Sequence, residues 1–396
     1  METDELIQMA DKFIMGTYKR FPIVLVRGLG TRVWDSSGKE YLDLVAGIAV
    51  CGLGHSHPQV IKAISKQLEM LSHVSNLYYI EPQIRAAKLL VENSFADRVF
   101  FCNSGAEANE AAIKLARKYA HENLGKNKYE LITMLNSFHG RTLATVTATG
   151  QEKFHKGFEP LPLGFRYIPF NDLSALKAAI DDKTCGVMLE PIQGEGGVVM
   201  PGEGYLTAVR QVCDENKILL LLDEVQVGMG RTGRLFAYEE SGIKPDILTM
   251  AKALGNGFPV GAMLATEQVA NAFVPGSHAS TFGGNPLAMA AACATLETLL
   301  GDRVLENCRS MGLYFREKLE EIKQRHRSVK AVRGKGLILA MELDITGEEI
   351  VLKCLKKGLL INCTNGNILR FVPPLIIKAD DIDRAVEILE EAMDDR

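Results

Sequence analysis

From about residue 50 to 300 the chain alternates short apolar runs with longer amphipathic stretches. The runs RVFFC (98–102), ELITML (130–135), GVMLEPI (186–192), ILLLLDEV (218–225), ILTMA (247–251) and GAMLAT (261–266) are apolar on both faces, which predicts central strands of a mostly parallel sheet. Helical periods lie between them. In residues 106–120, Ala112, Leu115, Ala116 and Tyr119 fall at i, i+3, i+4 and i+7 and share one face. Strands alternating with such helices predict an α/β layered domain.

The two ends read differently. Residues 20–45 alternate apolar and polar positions around Gly and Ser-Ser-Gly turns, which predicts a short antiparallel meander. Beyond residue 300 come a charged helix (GLYFREKLEEIKQRHR, 312–327), short strands (GLILAMEL, 336–343; LRFV, 369–372) and a closing amphipathic helix (DDIDRAVEILEEAM, 380–393). Both ends are expected to build one smaller α+β domain discontinuously. The division is then 1–50 for its N-terminal part, 51–300 for the large domain and 301–396 for its C-terminal part.

Composition narrows the function without naming it. With 396 residues, 47% of them hydrophobic, there is ample material for a large core in a globular protein. Lys and Arg number 45 against 49 Asp and Glu, and no basic or acidic block suggests nucleic acid or a basic partner. The eight cysteines are scattered without a C-x-x-C and mostly lie in apolar runs, as buried thiols of a reducing compartment would. The opening METDELIQMADKF is acidic and amphipathic, unlike a signal peptide. No apolar run approaches the ~20 residues that span a bilayer. A cytoplasmic protein is expected, and its substrate must be argued from a site.

Three features bear on that site. In RVFFCNSGAEANEAAIKLARK (98–118) a strand, a tight Asn-Ser-Gly turn and a helix follow one another. Ser104, Gly105 and Ala106 thereby offer N–H groups and a hydroxyl at a helix N-terminus, which favours an anion. No GxGxxG or Walker pattern is present, which disfavours nicotinamide and nucleoside-triphosphate sites. Asp223 ends an apolar strand, where a lone carboxylate is costly and a cationic partner is wanted. Strand alternation would put Val225 on the same face, and the following QVGMGRTGR reads as a loose turn bordering a pocket. Lys252 follows ILTMA directly, where desolvation lowers a lysine's pKa and makes it a nucleophile.

Singly these have ordinary readings: a capped helix, an ion-paired acid, a snorkelling lysine. Together they supply a phosphate cradle, an acid for a pyridine nitrogen and a lysine for a Schiff base. Pyridoxal 5'-phosphate (PLP) needs all three, because its protonated ring is the electron sink.

The segments NSGAEANEAAIKLAR (103–117), NSFHGRT (136–142), LEPIQGEGG (189–197), LDEVQVGMGRTG (222–233), AKALGNGFPVGA (251–262), STFGGNP (280–286) and LRFVPPL (369–375) resemble the class III, ornithine-type aminotransferases of PLP fold type I, in order and over essentially the whole chain. The resemblance implies a large domain with a seven-stranded, mostly parallel sheet. It makes Lys252 the Schiff-base and proton-shuttling lysine, Asp223 the partner of the ring nitrogen and Gln226 that of the ring hydroxyl. Val225 and Phe138 would sandwich the ring, and Ser104, Gly105 and Ala106 would hold the phosphate. Thr281 would reach the phosphate in the neighbouring subunit of a homodimer with shared active sites. Arg141 would clamp the substrate carboxylate, with Ser280 edging the pocket. Arg370 would receive the α-carboxylate of glutamate or 2-oxoglutarate, and Glu195 would neutralise Arg370 when the other substrate presents a distal amine.

Within that family, AGIAVCGLGH (46–55) and HVSNLYY (73–79) look most like the acetylornithine aminotransferases of arginine biosynthesis. Ile48 stands where enzymes of free ornithine typically carry a tyrosine, which suits an acylated α-nitrogen. Cys51 departs from the asparagine more often seen in this group. The implied reaction converts N-acetylornithine and 2-oxoglutarate into N-acetylglutamate 5-semialdehyde and glutamate in a ping-pong cycle. Ornithine, succinylornithine, N-succinyl-diaminopimelate and 4-aminobutyrate stay open as donors. A glutamate-1-semialdehyde aminomutase shares the fold and lysine but has no need of the Arg370–Glu195 pair. A non-catalytic relative would be expected to have lost Lys252 or Asp223. His55, His57 and His139 raise the thought of a metal, but their settings, before Pro58 and in the FHGR loop, argue for none.

Overall fold

The computed structural model describes residues 3–394. Its first sheet comes from the N-terminal meander: β1 (Leu25–Leu29), β2 (Arg32–Asp35) and β3 (Glu40–Asp43), paired antiparallel as the alternation predicts. The central sheet contains β4 (Arg98–Cys102), β5 (Glu130–Met134), β6 (Phe165–Ile168), β7 (Thr184–Leu189), β8 (Leu219–Asp223), β9 (Ile247–Met250) and β10 (Gly261–Ala265). Their order is β4-β10-β9-β8-β7-β5-β6. Only β10 runs antiparallel to its neighbours, so the sheet is seven-stranded and mostly parallel. The edge strand β6 escapes the sequence reading because FRYI is half exposed and lacks an apolar run.

The C-terminal portion adds β11 (Val329–Lys335), β12 (Ile338–Leu343), β13 (Leu359–Leu360), β14 (Asn362–Thr364) and β15 (Ile368–Phe371). Four of these form the sheet β11-β12-β15-β14, while β13 pairs in parallel with β3. The two chain ends therefore meet in one sheet. Helix Val304–Arg325 packs on β11 and β12, and closing helix Ala379–Asp394 packs on that helix and on helix Glu348–Lys356, burying Phe315, Leu319, Ile322 and Ile382, Ile388, Leu389.

β7, β8 and β9 are buried at every position, which explains their continuous apolar sequence. Helix Gly105–Asn123 lies over this sheet with Ala112, Leu115, Ala116 and Tyr119 buried, as its period requires. All eight cysteines are free and six are buried; Cys51 and Cys363 are half-buried. Among the described residues no helix is long and apolar enough to cross a membrane.

Two local expectations change. β8 ends at Asp223, so strand alternation does not place Val225. A turn does: the Val225 N–H donates to Asp223 Oδ1 at 3.0 Å. The glycine-rich segment after it is not loose either, because Val227–Gly233 is buried throughout.

Candidate active site

The ends of β4, β8 and β9 open onto a cavity of about 440 Å³. Helix Gly105–Asn123 starts at its wall, and Ser104, Gly105 and Ala106 line it. As first-turn residues, Gly105 and Ala106 have N–H groups with no acceptor four residues earlier in the helix. Ser104 is the N-cap: its Oγ accepts the Glu107 N–H at 3.1 Å. The glycine is required by crowding, since a Cβ at Gly105 would stand 2.6 Å from Val225 Cγ1. Cradle and cavity wall thus touch at this point.

Asp223 is 3% exposed and completely engaged. Its Oδ2 accepts from Asn109 Nδ2 at 2.8 Å and lies 2.7 Å from His139 Nδ1. Asn109 also donates to the His139 carbonyl at 2.7 Å and accepts from Thr249 Oγ1 at 2.6 Å. Burial alone would lower the His139 pKa, but the Asp223 bond and charge outweigh it and hold the imidazole above its ordinary value. Sequence reasoning expected a cation for Asp223 and placed His139 in the FHGR loop without joining the two. It missed Asn109, whose signal was a polar residue on the otherwise apolar buried face of its helix.

Lys252 begins a short turn, Lys252–Gly255, with a positive φ of 42°, a conformation that non-glycine residues rarely hold without a reason. Its side chain lines the cavity with Asp223, Val225 and Phe138. Burial pushes its ammonium well below the ordinary lysine range, against the opposing pull of Glu195. Its amine makes no hydrogen bond or ion pair among the described residues. That is the condition of a lysine ready to act as a nucleophile.

Arg370 on β15 is buried and pairs with the cavity-lining Glu195: Nη1 to Oε1 is 2.6 Å. Gln226 sits against both, each at 3.4 Å. Burial would raise the Glu195 pKa, but Arg370 overrides it and the net shift is downward. Arg141, exposed at the cavity rim, lies over the Phe154 ring at 3.9 Å and over Phe138 at 5.3 Å. Glu190 was missed at sequence level. Buried at the end of β7, it accepts the N–H groups of Phe138 (2.9 Å) and Gly194 (3.2 Å), and burial raises its pKa to about 7.

The predicted residues separate into two groups. Ser104, Gly105, Ala106, Phe138, Arg141, Glu195, Asp223, Val225, Gln226 and Lys252 all line one cavity, and Arg370 stands directly behind Glu195. Ser280 and Thr281 do not reach it within the chain. They border a second hollow of about 830 Å³ with Asn76, Leu77 and Gln83. A bond of 3.3 Å, donated by Asn103 Nδ2 to Ser280 Oγ, leads toward the first. Ile48 borders a separate hollow, whereas Val50, two residues on, lines the cavity itself.

The donor set fits PLP. The unpaired first-turn N–H groups suit a phosphate, the braced buried carboxylate suits a protonated ring nitrogen, and the unbonded lysine suits an aldehyde.

Comparison with known proteins agrees with this chemistry. The family profile of class-III aminotransferases matches residues 14–393. The acetylornithine aminotransferase of Caldanaerobacter subterraneus subsp. tengcongensis is 57% identical over 98% of this chain and 99% of its own length. That of Methanocaldococcus jannaschii is 52% identical, over 99% of this chain and 98% of its own. Among solved structures, the ornithine aminotransferase of Toxoplasma gondii superposes with a TM-score of 0.96 at 34% identity, covering 99% of this chain and 95% of that one. The acetylornithine aminotransferase of Elizabethkingia anophelis gives 0.90 at 33%, with full coverage of both chains. On the profile match and these full-length relatives, the chain belongs to the class-III aminotransferases.

Proposed function

We propose that the protein is a PLP-dependent aminotransferase that moves the distal amino group of N-acetylornithine to 2-oxoglutarate, giving N-acetylglutamate 5-semialdehyde and glutamate. The observation that carries the chemistry is one cavity lined by Lys252, Asp223 and Glu195, with Arg370 paired to Glu195 behind its wall. The choice of donor rests on full-length relatives that carry the acetylornithine name.

In this reading PLP, when bound, supplies the electron sink for the carbon that loses its proton. The chain does the rest. Asp223, held by Asn109 and His139, keeps a proton on the ring nitrogen. Ser104, Gly105 and Ala106 hold the phosphate, Gln226 the ring hydroxyl, and Val225 and Phe138 the two ring faces. The Lys252 amine carries the cofactor and then moves the substrate's proton. Arg141 binds the donor's carboxylate as a bidentate fork. With the amino donor in place Glu195 stays on Arg370; with 2-oxoglutarate it yields Arg370 to the α-carboxylate. Ser280 and Thr281 act in the active site of a second copy, which makes the working unit a homodimer. The small domain is assigned to residues 1–50 and 301–396, and the compartment to the cytoplasm.

Comparing catalytic efficiency for N-acetylornithine, N-succinylornithine, ornithine and 4-aminobutyrate tests the assignment. N-acetylornithine should lead the last two by at least about tenfold, the worth of one well-placed polar contact. A lead by ornithine or 4-aminobutyrate would keep the family and replace the substrate.

A further inference from the structure

Arg231 lies at the far end of the loop that carries Val225 and Gln226, and it is 1% exposed. No carboxylate is within ion-pair distance of its guanidinium among the described residues, and desolvation lowers its pKa to about 10, so it is cationic at neutral pH. Its Nη2 has no partner among them. A buried cation without a counter-charge costs stability, so its presence calls for another explanation.

Its contacts supply one. Nη1 donates to the carbonyl of Leu337 at 2.8 Å and also to that of Pro373. Leu337 immediately precedes β12, and Pro373 follows β15, the two strands that pair Ala340 with Arg370. The interlock is reciprocal: the Leu337 N–H donates to the Arg231 carbonyl at 3.0 Å, as does the Cys308 thiol at 3.4 Å. Gly336 packs so closely that a Cβ there would stand 2.6 Å from the Arg231 carbonyl oxygen. One guanidinium therefore fastens the loop that carries Val225 and Gln226 to the strand pair that holds Arg370, three residues from Pro373.

We infer that Arg231 is a positioning residue for 2-oxoglutarate: it fixes Arg370 relative to Gln226 and Glu195, and so governs the keto-acid half-reaction more than the amino-donor half-reaction. This rests on the proposed use of Arg370 as the anchor of the α-carboxylate.

The test uses holoenzyme carrying Arg231→Met, Arg231→Lys or Arg370→Ala. It measures glutarate binding by calorimetry, single-turnover rates with each substrate and a melting curve as the check of folding. Arg231→Met should weaken glutarate binding and raise the keto acid's half-saturating concentration, each about tenfold, with N-acetylornithine saturation changed by less than about twofold. Arg231→Lys, which keeps the charge but loses the fork, should fall between. Equal losses for both substrates, or none for glutarate, would overturn the inference. Arg370→Ala separates the two levels: unaltered glutarate binding there removes the reading of Arg370 itself. If Arg231→Met does not fold, Gly336→Ala, which displaces the Arg231 carbonyl, should give the same split.

Discussion

The two ends of the Lys252 cavity are built in opposite ways. At the Asp223 end both oxygens of that carboxylate have partners at 3.0 Å or less, and Thr249, Asn109, His139 and Asp223 brace one another from two strands, a helix and a loop. At the other end a single ion pair joins Arg370, on a strand, to Glu195, on a loop flanked by Gly194, Gly196 and Gly197. Gln226 adds only long contacts of 3.4 Å. The first end suits a ligand that never changes, since preorganised dipoles need no rearrangement when charge develops. The second suits partners that alternate. Its strongest bond is protein to protein, and an incoming carboxylate can replace it. In the proposed reading, the rigid end serves the cofactor and the exchangeable end serves two substrates of different charge.

Four substitutions would break or sharpen this contrast, and their expected effects descend in size. Lys252→Ala removes both the attachment and the proton carrier, and turnover should fall by at least about 10⁴-fold, with PLP bound more weakly by equilibrium dialysis. Asp223→Asn keeps the shape of the rigid end but removes its charge, and kcat should drop about 10²–10³-fold, the usual loss for one preorganised electrostatic group. Glu195→Gln acts on the exchangeable end only. It should slow the amino-donor half-reaction about tenfold relative to the keto-acid half-reaction in stopped-flow traces, and an unchanged ratio would remove the switch.

The smallest effect lies outside the cavity. Hydrogen bonding to Asp43 at 2.7 Å raises His55 from 6.5 to about 10. A histidine raised on folding stabilises fully below its unfolded value, and that contribution fades as pH rises through the folded one. The melting temperature of wild type over His55→Gln should therefore be highest below pH 6.5 and shrink by a few degrees toward pH 10. A difference that grows with pH would show that the pairing has been misread.

Much of this was legible in the chain. β7, β8 and β9 are buried on both faces and announce themselves as apolar runs, and residues at their ends, Asp223 and Lys252, stand out against them. Order along the chain then made the cradle, acid and lysine a single hypothesis. What escaped was what folding alone brings together. Asn109 reaches Asp223 across 114 positions, and Glu190 meets the Phe138 loop across 52, and no local pattern encodes either. The half-exposed β6 lacked a period, and a buried turn after β8 looked loose because glycines mark close packing as readily as freedom. Ser280 and Thr281 lie at a second hollow, so their placement at an active site depends on another copy of the chain.

The most direct test of the central claim is a visible absorption spectrum of the protein loaded with PLP. It is recorded alone, after N-acetylornithine without keto acid, and again after 2-oxoglutarate. A band that appears with Lys252 intact, bleaches with the amino donor and returns with the keto acid is the predicted result. No band with Lys252 intact, or one that N-acetylornithine leaves untouched at saturation, would contradict the account.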